Sequence, residues 1–144
     1  MFWRKELVAI PPYDTLTVEQ RQALYFLLEY FDNYVEDSKW NYNKRDATNY
    51  LKKAASYFGL AKKDIIALRP EYQNLDKIVA VLKTINNKIV LNRMVGNCYN
   101  LYVLAVGDKF KKLGDIFYKL WEDMGYSYDD IRFLVNFTTC RSDI

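Results

Sequence analysis

The stretch YLKKAASYFGLAKKDIIAL, residues 50–68, decides the fold class of this chain. Its apolar residues recur at three- and four-residue steps from Leu51 to Phe58, which is the spacing of one helix face. Gly59 follows as a left-handed helix stop, and Asp64 opens a shorter helical stretch. The segment therefore predicts a helix, a glycine stop and a short helix.

The same arrangement returns in IFYKLWEDMGYSYDDIRFL, residues 116–134, after a shift of 66 positions. That shift places Gly59 on Gly125 and Asp64 on Asp130. We therefore predict two copies of one unit, each a long helix, a loop, a second long helix, a glycine stop and a short helix. A shift of 67 positions aligns the apolar residues of the preceding long helices, 24–31 and 91–98.

Capping signals place the other helices. Thr17 and Gln20 form a capping box, Asn74 can cap a later helix, and Ser127 with Asp130 can cap the last one. No segment alternates with period two between turn signals, so no strand is predicted. The prediction is an all-α, single-domain bundle of six to seven helices with an internal pseudo-twofold duplication. The predicted helices cover about 18–36, 44–58, 64–68, 75–85, 88–106, 109–124 and 128–136.

The composition excludes several classes of function. The chain has 144 residues, of which 51% are hydrophobic and 27% charged, as expected for one ordered domain. The net charge of +3 is too small to indicate a partner. Because there is no histidine, His-based acid–base catalysis and zinc sites that need imidazole are excluded. Glycine-rich phosphate loops are also missing, so we expect no enzymatic activity.

Membrane and export signals are weak. The apolar run at 7–10 is too short for a secretory signal. The longest uncharged run, 94–107, has 14 residues, whereas about 20 apolar residues are needed to cross a bilayer. We expect a soluble, cytoplasmic protein with no membrane insertion and with Cys98 and Cys140 reduced. The predicted division is an N-terminal arm over 1–16, a helical domain over 17–137 and a C-terminal tail over 138–144.

The two glycine stops, Phe58-Gly59-Leu60 and Met124-Gly125-Tyr126, resemble those of the tellurite-resistance TerB-like family, and the resemblance covers residues 18–136. It implies a small all-helical domain built as a duplicated pair. In that family, each half has an acidic Asp-Gly turn followed by a helix that carries a Glu. Here the turn is inverted to Gly107-Asp108, and Asp115 takes the place of the Glu. The acidic residues of the family have been linked to divalent-metal binding.

Four carboxylates are candidate metal ligands: Glu36, Asp37, Asp108 and Asp115. Asp108 and Asp115 are seven residues apart, so two helical turns place them on one face. A hard cation such as Ca²⁺ takes six to eight oxygen ligands, more than two carboxylates supply. The alternative is structural: Asp108 caps the helix that it opens, and Asp115 pairs with a lysine one turn earlier. No other cofactor is predicted.

An acidic patch lies at the end of the first predicted helix, where negative charge is unfavourable. It either holds a divalent cation or is a solvated face, and we favour the solvated face. Its residues are Glu29, Asp32, Glu36 and Asp37.

Uneven charge suggests a partner. Residues 38–63 contain seven Lys or Arg against one acid, whereas residues 115–130 contain five acids and one Lys. Complementary charge favours a protein partner or a second copy of the chain. The candidate partner-binding residues are Trp40, Tyr42, Lys44 and Arg45. Aromatic residues expected at the surface are Trp3, Trp40, Tyr42, Tyr126 and Tyr128.

These observations favour a non-enzymatic interaction module that resembles TerB-like domains and binds a protein partner or itself. The first alternative is a divalent-cation-binding regulatory domain. The second alternative is a nucleic-acid-binding protein, because basic residues interleaved with aromatic residues suit phosphate neutralisation and base stacking.

Overall fold

The computed structural model describes residues 12–35 and 44–138. Within these residues the chain forms seven α-helices and no strand, which confirms the all-α prediction. Two short 3-10 turns, Pro12–Thr15 and Arg69–Tyr72, accompany the helices. The helices are α1 (Val18–Asp32), α2 (Lys44–Tyr57), α3 (Lys62–Leu68), α4 (Leu75–Leu82), α5 (Lys88–Tyr102), α6 (Gly107–Asp123) and α7 (Tyr128–Thr138).

Helix α1 lies at the centre of the bundle. It contains the continuous apolar run ALYFLL at 23–28, and a helix without a polar stripe over such a run must be buried on several sides. Accordingly, α1 packs against α2, α4, α5 and the Arg69–Tyr72 turn. Helix α5 is the second central element, because it contacts α1, α6 and α7. The candidate site described below is built on the C-terminal half of α1.

Local hydrogen bonds begin the helices where the sequence predicts. The Thr17 hydroxyl accepts from the Gln20 N–H at 3.1 Å, and the Thr17 N–H donates to the Gln20 side chain at 3.0 Å. The Ser127 hydroxyl likewise accepts from the Asp130 N–H at 3.0 Å. Asn74 caps α4. These helix starts are confirmed. The sequence could predict them because a capping hydrogen bond joins residues only two or three positions apart.

The two glycine stops of the repeated unit are confirmed, whereas Gly107, a third glycine predicted to end a helix, begins α6 instead. Gly59 has φ +69° and Gly125 has φ +98°, the left-handed region in which glycine has no Cβ penalty. After each glycine the next N–H returns to a carbonyl five residues earlier: Leu60 bonds to Ala55 at 2.9 Å, and Tyr126 bonds to Trp121 at 3.0 Å. This is the Schellman pattern. The two helix ends are alike, while duplication of the whole unit stays a prediction.

Three helices end about one turn earlier than predicted: α1, α4 and α5. Beyond each end the backbone continues through 3-10 bonds to the carbonyl three residues back. Val35, Ile85 and Ala105 donate these bonds at 2.9, 3.0 and 3.1 Å. All three side chains are buried. The apolar pattern therefore runs past the true helix end, and periodicity alone overestimates helix length.

Candidate functional site

An ion pair with a buried carboxylate and an exposed arginine joins α1 to the Arg69–Tyr72 turn. Arg69 Nε donates to Glu29 Oε1 at 2.9 Å, and Arg69 Nη2 donates to Glu29 Oε2 at 3.0 Å. The Tyr25 hydroxyl, one turn before Glu29 on α1, donates to Glu29 Oε2 at 2.9 Å. The carboxylate thus accepts three hydrogen bonds, in the two-pronged geometry that the planar guanidinium favours.

This network raises the pKa of both hydrogen-bond partners of Glu29, Tyr25 and Arg69. Burial, together with the Glu29 carboxylate, raises the pKa of the Tyr25 hydroxyl above its ordinary value of 10.0. The hydrogen bond to Glu29 raises the pKa of Arg69 as well. The arginine therefore stays charged and the phenol stays neutral across the physiological range.

The prediction of a solvated acidic patch at Glu29 and Asp32 is wrong. Only 8% of Glu29 and 5% of Asp32 are exposed. Glu29 is buried because the Arg69–Tyr72 turn packs against α1, a contact between segments 40 residues apart. Glu36 and Asp37, the other predicted members, lie outside the described residues.

Beside the ion pair lies a cleft of about 430 Å³, which we call the aromatic cleft. This volume falls within the range of about 300–1,000 Å³ found for ligand sites. The cleft is lined by four aromatic residues and five polar or charged ones. They are Phe26, Tyr30, Tyr34 and Tyr72, and Glu29, Asn33, Arg69, Gln73 and Lys109.

Two pairs of rings contribute to the aromatic cleft, a buried pair at its base and a half-buried pair that is open to solvent. Phe26 and Tyr72 are stacked, with ring centroids 4.8 Å apart and planes 8° apart. Tyr30 and Tyr34 are tilted, with centroids 5.7 Å apart. Burial, reinforced by the hydrogen bond to Tyr34, raises the pKa of Tyr30 to about 12. The first pair is fixed by packing on the α1 core, whereas the second lies at the end of α1 and is half-buried.

The cationic member of the ion pair is the one exposed at the aromatic cleft. The Arg69 side chain is 44% exposed and the Glu29 side chain is 10% exposed, so the cationic partner faces solvent more than the anionic one does. A guanidinium has five N–H donors, and two of them go to Glu29. Even with a further contact to the Tyr25 hydroxyl, the guanidinium keeps donors for a ligand.

The structure places the two described metal candidates on the surface. Asp108 and Asp115 are both exposed on α6. Asp108 is not the cap that the sequence suggests, because α6 begins at Gly107 after Val106 and has no side-chain cap. In the described part of the chain, Asp115 forms no ion pair with a lysine. Within the same residues, no group of three or more His, Cys, Asp and Glu side chains could hold a metal ion. The cation site therefore stays a prediction, since Glu36 and Asp37 lie outside.

Two of the four predicted partner-binding residues lie in the described part of the chain. Trp40 and Tyr42 lie outside the described residues, as does Trp3. Lys44 begins α2, and Arg45 is exposed on the same helix.

The two aromatic residues expected at the surface near the start of the last helix behave differently. Tyr128 is 57% exposed, as predicted. The expectation for Tyr126 is wrong: it is 7% exposed. Its hydroxyl donates to Asn92 Oδ1 at 2.6 Å, and its ring packs against Trp121 at 5.7 Å. Tyr126 directly follows the Gly125 stop, which turns the chain back onto the core.

Cys98 lies in the core, as its place on an apolar stripe predicts. The thiol is fully buried, and this burial raises its pKa well above the ordinary value. A thiol held neutral in this way is a packing group rather than a nucleophile.

Sequence reasoning missed Arg69 and the aromatic cleft. The available signal was Glu29 itself, a carboxylate that interrupts the apolar sequence ALYFLLEYF at 23–31. A buried carboxylate needs a partner. Nothing in the local spacing indicates which of the 21 Lys and Arg residues supplies it.

Comparison with known proteins adds no relative: no family model, no curated protein and no solved structure matches the chain. Among the helices of the described residues, none is both long and apolar enough to cross a membrane.

Proposed function

We propose that the protein is a non-enzymatic interaction module, similar in plan to TerB-like domains, that holds part of a protein partner or of a second copy in the aromatic cleft. The observation that carries this proposal is the combination of the half-buried Tyr30–Tyr34 pair with an exposed arginine, Arg69, that Glu29 holds in place. Aromatic residues and arginine are the side chains enriched where proteins bind one another.

The chemistry of the aromatic cleft supports binding rather than catalysis. Its carboxylate, Glu29, already accepts three hydrogen bonds, so it is committed to Arg69 and Tyr25. A general base needs a lone pair directed at the substrate proton. Tyr30 has a pKa of about 12, too high for proton transfer near neutral pH. We place the module in the cytoplasm, where a reducing environment suits the free Cys98 thiol.

Site-specific photocrosslinking tests the proposal. A benzophenone amino acid at Gln73, an exposed residue of the aromatic cleft, should give a discrete adduct in cells. An adduct at twice the mass of the 17.1 kDa chain would identify a second copy. The matched control is the same group at exposed Glu122 on α6. Glu122 is thirteen residues beyond Lys109 of the cleft, or about 20 Å along a helix.

Two results would contradict the proposal. One is the same set of adducts at Gln73 and at Glu122, which would mean that capture does not depend on the aromatic cleft. The other is no adduct at Gln73 under conditions in which the folded protein accumulates normally. An adduct that appears at Gln73 alone, and that weakens when Tyr34 is replaced by leucine, would support it.

A further inference from the structure

Segments of opposite charge surround the two glycine stops. The basic segment, 52–64, contains Gly59 with four lysines and one aspartate, a net charge of +3. The acidic segment, 118–130, aligns with it after a shift of 66 positions and contains Gly125 with four acids and one lysine, a net charge of −3. In the described part of the chain, no charged side chain of either segment forms an ion pair. Each segment therefore keeps its charge for an outside partner.

Both segments are attached to the start of α5. Arg93 Nη1 donates to the Tyr57 hydroxyl of the basic segment at 2.7 Å. The Tyr126 hydroxyl of the acidic segment donates to Asn92 Oδ1 at 2.6 Å. Consecutive side chains of a helix diverge by about 100°, so Asn92 and Arg93 hold the two segments on different sides of α5. The two opposite charges thus lie at the same end of the bundle.

An exposed apolar side chain lies between the two segments. Ile89 is 65% exposed on the first turn of α5. It precedes Asn92 by three residues and Arg93 by four, so helical spacing places it on the same face and between them. A single exposed isoleucine is ordinary by itself. Here it marks the centre of a surface that is positive on one side and negative on the other.

Such a surface is complementary to itself. A rotation of 180° about an axis through Ile89 places the acidic segment of one copy opposite the basic segment of the other, and the same contact occurs twice. A basic protein would match only the acidic segment, and a nucleic acid would match only the basic segment. A second copy of the chain matches both segments and also covers Ile89.

We infer that two copies of this chain pair through this end of the bundle as a twofold dimer centred on Ile89. The contact is remote from the aromatic cleft. Arg21, which donates to the Phe58 carbonyl of the basic segment at 2.9 Å, precedes Tyr30 of the cleft by nine residues, or about 14 Å along α1. The dimer leaves the cleft open, so this inference does not depend on the proposed function.

Sedimentation equilibrium of the purified full chain tests the inference. With rising concentration the mass should approach twice 17.1 kDa and then stay constant, because a twofold contact is closed. Raising the ionic strength from about 0.05 M to about 0.5 M should weaken the dimer roughly tenfold, since exposed charges are screened. A chain that stays monomeric up to about 1 mM would overturn the inference. Growth beyond the dimer would overturn the twofold pairing.

Charge reversal at equivalent positions tests the reciprocal contact. Lys63 and Asp129 are separated by the same shift of 66 positions, and both are exposed. Lys63→Glu and Asp129→Lys should each raise the dissociation constant of the dimer roughly tenfold, because each reversal acts at both copies of the contact. An equimolar mixture of the two variants should associate as tightly as the unmodified chain, since opposite charges then meet at both contacts. A mixture as weak as either variant alone would refute the pairing.

Two further variants separate the contact from net charge. Ile89→Glu leaves both charged segments unchanged and should weaken the dimer at least roughly tenfold, because the apolar centre is lost. The control Lys112→Glu makes the same charge change as Lys63→Glu at an exposed position of α6, beyond the far end of α5. It should leave the dimer unchanged. Equal weakening by Lys112→Glu and Lys63→Glu, or an unaltered dimer in Ile89→Glu, would overturn the inference.

The crosslinking experiment and the sedimentation experiment report on different surfaces. Glu122, the crosslinking control, lies with Asp115 on the exposed stripe of α6 opposite the buried Phe117. It contributes charge to the acidic segment but is directed away from α5 and so stays outside the contact. A dimer without adducts at Gln73 would support this inference and refute the function proposed for the cleft. Adducts at Gln73 from a chain that sediments as a monomer would do the reverse.

Discussion

Replacing Arg69 with alanine is the sharpest test of the ion pair beneath the aromatic cleft. Glu29 is 8% exposed in the intact protein, and in Arg69→Ala its carboxylate would keep only the bond from Tyr25. Removing one partner of a fully buried pair costs about 3–5 kcal/mol. The Arg69 side chain is 44% exposed, and water would reach the vacated position. We therefore expect a loss of about 2 kcal/mol.

Urea unfolding followed by far-UV circular dichroism measures this loss. For a chain of this size, about 2 kcal/mol corresponds to a melting temperature lower by about 6 °C. The control Glu29→Gln/Arg69→Gln removes both charges and keeps side chains that can bond to each other. It should stay within about 1 kcal/mol of the unmodified protein, because no buried charge is left unpaired.

The stabilities of the two variants show whether the buried Glu29 carboxylate depends on Arg69. If Arg69→Ala unfolds at the same urea concentration as the unmodified protein, Glu29 does not depend on Arg69. If the double variant is less stable than Arg69→Ala, the cost of an unpaired carboxylate is not what governs this site. Either result would refute the reasoning given above.

Three further predictions concern the fold. Gly114→Ala should lower the free energy of unfolding in urea by about 1–2 kcal/mol, because the added Cβ would meet the Tyr102 hydroxyl at 2.8 Å. This loss should outweigh the better helix propensity of alanine. Adding Tyr102→Phe should restore part of the stability, and an unchanged stability of Gly114→Ala would contradict the close contact. Thr17→Ala removes the cap of α1 and should lower the free energy of unfolding by about 1 kcal/mol. Urea unfolding measures this loss, and an unchanged midpoint would show that the cap is not needed. Burial raises the pKa of Tyr30 and of Tyr126 from 10.0 to about 12. Because the unfolded chain loses these protons near pH 10 while the folded chain holds them, the stabilisation is complete below pH 10 and is lost as the pH rises towards 12. Between pH 10 and pH 12 the free energy of unfolding should fall less steeply in Tyr126→Phe than in the unmodified protein. Identical slopes would refute the raised pKa of Tyr126.

The sequence determines several helix boundaries through local signals. The capping box at Thr17 and Gln20 requires hydrogen bonds over three residues, and those bonds are present. Gly59 and Gly125 end their helices because each needs a positive φ. Such features depend on a few neighbouring residues, so a linear pattern is enough to predict them.

Other expectations failed where burial is decided by distant segments. Tyr126 was expected at the surface, yet the Gly125 stop returns it to the core, where its hydroxyl donates a hydrogen bond to Asn92. The end of α5 was predicted at Val106, four residues beyond Tyr102, because buried Ala105 prolongs the apolar pattern through a 3-10 turn. Periodicity reports that a residue is buried and leaves open which backbone conformation buries it.

The sequence by itself determined an all-helical chain, the starts of several helices and the two glycine stops, since these follow from backbone geometry and side chains within one or two turns. Only the tertiary structure decided that Glu29 is buried, that Arg69 pairs with it across 40 residues, and that four aromatic rings meet beside them. The physical reason is that a charged side chain is buried only when a partner compensates its lost hydration, and that partner is brought close by packing rather than by position in the chain.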